Sequence, residues 1–515
     1  MHSITTPNND NNNNNNNNNN INVFQEATSL LNLSLPIALT ALLLYSRSII
    51  SMLFLGSLGD LPLAAGSLAI AFANITGYSI LSGLSLGAEP LCSQASGASR
   101  PDLLSLSLFR SSLLLLSISL PLSLLWLNSS KILTFFNQDH DISLLSQSYL
   151  LFSLPDLFSF SLINPIRIYL RSQSITRPLT LSAAISAAVH LPANLIASKL
   201  HLGVPGVAAA SATSNLFMLL TLLPFARQTR YPSIRDCLTG WGPLARLAAP
   251  SCASVCLEWW WYELLIILCG LLPDPKPAIA AMGVLIQTTA LVYVFPSSLG
   301  SGASARVGNE LGANRPGRAR SAARVAVGLA GLLGFIAMGF AAGVRQRWGR
   351  MFTQDGEIVR LTAAALPIVG LCEVGNCPQT VGCGVLRGSA RPAHAARINL
   401  GAFYLVGMPV AVGLGLGLGL GFCGLWMGLL AAQICCAGFM IYIVGTTDWE
   451  AQARRAQLLT YGNIEVHNCD LKIMEEGKGL VDEKGVDEDG DEDEDRDEEV
   501  CFQPLIENKM SVMER

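Results

Sequence analysis

GAEPLCSQASGASRP (residues 87–101) and GASARVGNELGANRP (residues 302–316) decide how this chain folds. Gly87-Ala88 is followed by Gly97-Ala98-Ser99-Arg100-Pro101, and Gly302-Ala303 by Gly312-Ala313-Asn314-Arg315-Pro316 at identical spacing. Other landmarks align in the same order. Pro36 matches Pro250, Leu170-Arg171-Ser172 matches Leu386-Arg387-Gly388, and Pro192 matches Pro409. Leu202-Gly203-Val204-Pro205-Gly206 matches Leu420-Gly421-Phe422-Cys423-Gly424, and the offset drifts only from 214 to 218 positions. Ordered matches with so little drift mark an internal duplication.

Both copies lie among long apolar runs. The chain has 515 residues, 51% hydrophobic and 14% charged, too apolar for a soluble multidomain enzyme. Runs near the roughly 20 residues that cross hydrocarbon recur along it. They place spans at 31–55, 63–92, 103–127, 143–165, 178–200, 204–226, 245–272, 278–303, 321–343, 358–386, 396–418 and 420–445. Six spans per repeat make both halves enter the membrane from the same side. The expected fold is an all-α polytopic membrane protein, its twelve transmembrane helices forming two six-helix repeats around a central cavity. A pseudo-twofold axis along the membrane normal relates them, with a substrate site between them near the midplane.

The expected domains are a disordered Asn-rich tail (1–30), a first bundle (31–226), a linker (227–243), a second bundle (244–446) and a disordered acidic tail (447–515). The net charge of −4 averages a basic body over that tail, which holds 21 acids and 8 bases. With the termini in the cytoplasm, internal loops carry Arg100, Arg167, Arg171, Arg177, Arg227, Arg230, Arg235, Arg306, Arg315, Arg387 and Arg391. External loops then hold mostly single lysines, as the positive-inside rule requires. The 13 cysteines lack paired zinc spacing and the six histidines are scattered, so no structural metal and no cofactor is expected.

Chemistry concentrates in SCASVCLEWWWYELL (251–265), which sets Glu258 and Glu263 in an apolar span. An acid at a bilayer centre costs roughly 2.5–3.5 kcal/mol, against about 0.3–0.6 returned by each Leu or Ile. Such acids face a cavity, carry a proton, or both. Burial raises carboxyl pKa values by up to about 3–5 units in general, which is the chemistry of a proton-coupled antiporter. The two are five residues apart, about 140° around a helix, so they do not point into one narrow cavity. With Pro36 set on Pro250 they fall opposite Leu44 and Ile49, so the acids are a specialisation of the second half. Trp259, Trp260, Trp261 and Tyr262 offer rings to planar or cationic solutes.

Glu373 lies in the tenth span beside Asn376, Pro378 and Gln379. Pro378 is expected to break the helix and free carbonyls, and Glu373 and Asn376 share a face. Gln287 in the eighth span is a further cavity candidate. Glu89, Arg306 and Arg387 are read as structural or gating residues. Arg47, Arg110, Asp156 and His190 are other ionisable residues in apolar runs, His190 being read as a hydrogen-bonded core histidine.

The stretches CLEWWWYE, FPSSLGSGASARVGNELGAN, GCGVLRGSARP and LRSQS, with the run from Pro36 to Ala98, resemble the multidrug and toxic compound extrusion family, most closely its plant branch. The resemblance spans about 30–445. It implies two six-helix bundles around a central cavity, alternating access, and export of organic solutes in exchange for protons, with sodium in some bacterial members. It implies that Glu258 and Glu263 are the family's acidic pair in the seventh span. The tenth-span carboxylate expected eight residues before the Gly of GVLRG falls on Asn376, a departure that leaves Glu373 to replace it or the seventh span to act alone. A monomer handling small organic solutes among membrane lipids, with no nucleic acid, is implied, in a plasma, vacuolar or Golgi/endosomal membrane. No HExxH site, nucleophile motif or phosphate-cradling loop points to an enzyme. A flippase of lipids or lipid-linked solutes shares the duplicated architecture and is the alternative.

Overall fold

The Gly-Ala-Ser/Asn-Arg-Pro pattern ends one helix and begins the next. Ser99 and Asn314 take left-handed backbone angles, with φ of 56° and 54°. The Arg100 amide then reaches back to the Ala95 carbonyl at 2.9 Å, and the Arg315 amide to that of Glu310 at 2.8 Å. These are the six-to-one bonds of Schellman turns. Pro101 and Pro316 open the following helices, where a missing amide hydrogen is tolerated. Ser174 and Ala390, also repeat-related, form the same turn, with φ of 60° and 57°.

The computed structural model describes residues 23–136, 138–226 and 232–461. Its spans are α1 (Val23–Ser57), α2 (Asp60–Gly97), α3 (Pro101–Leu127), α4 (His140–Phe152 and Leu154–Ser172, bent by 47°), α5 (Arg177–Lys199) and α6 (Gly203–Ala226). The second set is α7 (Gly242–Cys269), α8 (Pro275–Gly312), α9 (Pro316–Met351), α10 (Gly356–Gly388), α11 (Pro392–Gly417) and α12 (Gly421–Gly445). A last helix, α13, covers 449–461, and no strand occurs among the described residues.

Packing repeats along with the sequence. In the first half α1 packs on α5, α3 on α4, and α6 on α4 and α5. In the second, α7 packs on α11, α9 on α10, and α12 on α10 and α11. Across the halves, α1 meets α8 and α7 meets α2, while the ends of α2 and α8 cross each other. At that crossing a Cβ on Gly97 would fall on the Asn309 backbone, and a Cβ on Gly312 on the backbone of Gln94, the repeat counterpart of Asn309. The two contacts are images of one another, which is where the pseudo-twofold axis passes. Gly97→Ala should therefore destabilise the fold by about 1–3 kcal/mol through overpacking. Gly328→Ala, where an added Cβ meets nothing within 4 Å, should not. Thermal unfolding midpoints in detergent check the contrast.

Three boundaries differ from the sequence reading. The first helix starts at Val23, and Leu30, assigned there to the polar tail, is buried. Glu26 is tolerated in it because Arg306 neutralises it at 2.8 Å. The first part of the acidic tail is α13, whose Trp449, Ala453, Ala456 and Thr460 form one buried stripe. The linker contains the helix Ile234–Leu238, and α7 already begins at Gly242. The expected disorder of the Asn-rich run and the rest of the acidic tail falls on 1–22 and 462–515, outside the described residues, as does 227–231. Pro378 does not break its helix. The α10 helix runs unbroken from Gly356 to Gly388, because packing against α8, α9 and α12 outweighs the loss of one intrahelical hydrogen bond.

Candidate functional site

Glu258 and Glu373 are joined by a chain of side-chain amides and a hydroxyl. Gln379 Nε2 donates to Glu258 Oε2 at 3.5 Å and to Asn399 Oδ1 at 3.3 Å. The Thr380 hydroxyl lies 3.2 Å from Gln379 Oε1 and 3.5 Å from Asn376 Oδ1, and donates to one at a time. Asn376 Nδ2 in turn donates to Glu373 Oε2 at 2.8 Å. Gln433 of α12 donates to Asn376 Oδ1 at 3.4 Å, and Asn399 of α11 to the Ser254 hydroxyl at 3.1 Å. The Tyr293 hydroxyl faces Glu258, and that of Tyr262 faces Thr289. Glu373 is 2% exposed, and neither carboxylate makes an ion pair among the described residues.

Five helices, α7, α8, α10, α11 and α12, thus supply one polar network inside an apolar bundle. Local spacing accounts for part of it, since Glu373, Asn376 and Thr380 stack at i, i+3 and i+7 on one face of α10. The contributions of Ser254, Thr380, Asn399 and Gln433 were not singled out from sequence. Their signal was polarity within otherwise apolar spans.

Glu263 stands apart, partly buried and without a hydrogen bond to a described residue, as the angle between the acids requires. The indoles divide likewise. Trp259 and Trp260 are 37% and 39% exposed, whereas Trp261 is fully buried against Phe403 and Tyr404 and is core. Gln287 accepts from the Tyr45 hydroxyl at 3.2 Å, linking α8 to α1 across the halves.

The gating candidates meet at the arginine-rich end of the bundle. Glu89 pairs with Arg387 at 2.9 Å and with Arg171 at 3.6 Å. These arginines are repeat counterparts, so one acid serves equivalent cations from both halves. Arg306 pairs with Glu26 and, at 2.7 Å, with Glu310. A separate network fills the first half. Asp156 accepts from Tyr78 at 2.6 Å and from Asn215. Arg47 donates to Asn215 at 2.6 Å and to Ser186 at 2.9 Å. His190 is buried, with hydrogen bonds to Ser51 and Ser214 at 3.0 Å. Arg110 holds the Asp236 carbonyl at 2.7 Å instead of pairing with an acid.

The MatE family model matches residues 36–196 and 250–412, once in each repeat. The chain belongs to the MATE family. Protein DETOXIFICATION 51 of Arabidopsis thaliana is 62% identical over 442 residues, covering 84% of this chain and 83% of that protein. Protein DETOXIFICATION 52 of the same organism is 58% identical, covering 84% and 87%. The crystal structure of the eukaryotic MATE transporter AtDTX14 matches with a TM-score of 0.81 at 30% identity, over 84% of this chain and 99% of that one. A MATE family member is a multi-pass transporter of small organic solutes, of the multidrug and toxic compound efflux class, and not an enzyme.

Proposed function

We propose that this chain is a proton-driven antiporter that exports organic solutes from the cytoplasm by alternating access, acting as a single chain. The observation that supports it is the side-chain network joining Glu258 to Glu373 without a salt-bridge partner for either. A carboxylate held by amides inside a bilayer-spanning bundle, with only the through-space pull of Arg387 on Glu258, is costly when ionised, and taking up a proton removes that cost. A carboxylate hydrogen-bonded to amides, not locked to a guanidinium, is free to exchange protons as the site's access alternates. Trp259, exposed and next to Glu258 in α7, offers a ring face to planar or cationic solutes. The end carrying Arg100, Arg171, Arg306, Arg315 and Arg387 faces the cytoplasm in this reading.

The test is a panel of organic cations, anions and neutral solutes with the purified protein in sealed vesicles, with and without an imposed pH gradient. At least one solute should move against its gradient only when the pH gradient is present, and its movement should dissipate that gradient. Solute movement indifferent to pH, or lipid scrambling in its place, would overturn the proposal.

A further inference from the structure

Helix α13 is fixed to the second half. The Asp448 carboxylate caps it, accepting from the Glu450 and Ala451 amides at 3.1 and 3.0 Å. Its stripe of Trp449, Ala453 and Ala456 packs in one cluster with Leu311, Ala319 and Ala322. Just before it, Thr447 accepts from Arg391 at 2.8 Å. One turn from its end, Gln457 Nε2 donates to the carbonyls of Leu311 and Gly312, at 3.3 and 3.0 Å.

At Tyr461 the partners change halves. Its hydroxyl donates to the Ala98 carbonyl at 3.1 Å, and the Arg100 guanidinium lies 5.1 Å from the centre of its ring. Ala98 and Arg100 belong to the α2–α3 turn, while Leu311 and Gly312 end α8. The helix therefore reaches from one repeat's turn to its counterpart in the other. An open depression of about 430 Å³ is lined by both turns together with Gln457 and Tyr461. At the crossing Gly97 packs on the Asn309 backbone and Gly312 on the Gln94 backbone, while the Gln94 side chain donates to the Gly388 carbonyl and the Asn309 side chain to that of Ser172, each at 3.0 Å.

The geometry points to α13 as a strap across the arginine-rich end, with Tyr461 as a catch that adds to the Glu89–Arg387 and Glu26–Arg306 pairs in holding the two halves closed there. Among the described residues, the first half has only the five-residue helix Ile234–Leu238 at the corresponding place after α6. The strap therefore acts from one side only. Opening this end must break the Tyr461 contacts together with the cross-half bonds beneath them, the Glu89–Arg387 pair among them. The inference rests on alternating access for its purpose, but its test needs neither a solute nor an ion gradient.

Amide hydrogen exchange in the full-length protein in lipid nanodiscs tests it. Tyr461→Ala should speed exchange at 95–101 about five- to seventyfold, the range set by losing one hydrogen bond and one cation–π contact. Tyr461→Phe, which keeps the ring, should give a smaller increase. Exchange at 449–456 should stay near the native rate in both, since the Trp449 stripe remains docked. Unchanged exchange at 95–101 in Tyr461→Ala would overturn the proposal. An equal acceleration across 449–456 would also overturn it, by showing that the whole helix had undocked.

Discussion

Glu258→Gln should collapse solute accumulation driven by a pH gradient while leaving the protein folded. Each pH unit stores about 1.4 kcal/mol per proton, a factor of ten. A two-unit gradient exchanging one proton per solute thus sustains about hundredfold accumulation, and the variant should fall to near unity. Gln keeps the shape of Glu and still offers an oxygen to Gln379 Nε2, now 3.5 Å from the carboxylate, so the change removes the proton site with little loss of packing. Gradient-driven uptake in sealed vesicles measures it, and a variant that accumulates solute as the native protein does would sink the assignment. The same assay separates the roles of Glu373 and Asn376. Glu373→Gln should impair coupling, and adding Asn376→Asp should restore it by returning a carboxylate to the position where the family resemblance expects one.

Glu89→Gln should have the largest structural effect. It leaves Arg171 and Arg387 sharing a site with no acid, where both now have side chains at least 86% shielded from solvent. Stranding a buried charge costs about 3–5 kcal/mol, and here two are stranded. The thermal midpoint in detergent should fall, and most of the loss should return in Glu89→Gln/Arg387→Gln, which removes one cation with the acid. A single variant as stable as the native protein, or a double variant worse than the single, would contradict this account.

Much of the architecture was readable because it rests on local chemistry. Apolar runs marked the spans. The paired Gly and Pro landmarks marked the turns, which proved to be superimposable Schellman geometries at Ser99 and Asn314. The contact between Glu373 and Asn376 followed from helical spacing alone. By contrast, the link from Glu258 to Gln379 joins residues 121 positions apart and depends on which face of α7 meets α10. Helix α13 escaped notice because its buried stripe consists of isolated residues between Arg454, Arg455 and Glu450. Pro378 is the opposite case: proline breaks an isolated helix, and α10 is held on three sides by α8, α9 and α12.

The Schellman turns also bear on mechanics. Backbone hydrogen bonds tie α2 to α3, α4 to α5, α8 to α9 and α10 to α11 at the arginine-rich end, and the Glu310–Arg315 and Glu310–Arg318 pairs reinforce the α8–α9 turn. Each tied pair behaves as one stiff lever, with no slack loop to absorb relative movement of its arms. Opening that end is therefore a displacement of a few large parts, not of twelve helices in turn. Such collective motion belongs to the microsecond-to-millisecond range, far slower than side-chain rearrangement, so the swing of these levers, and not the transfer of a proton, is expected to set the pace of turnover.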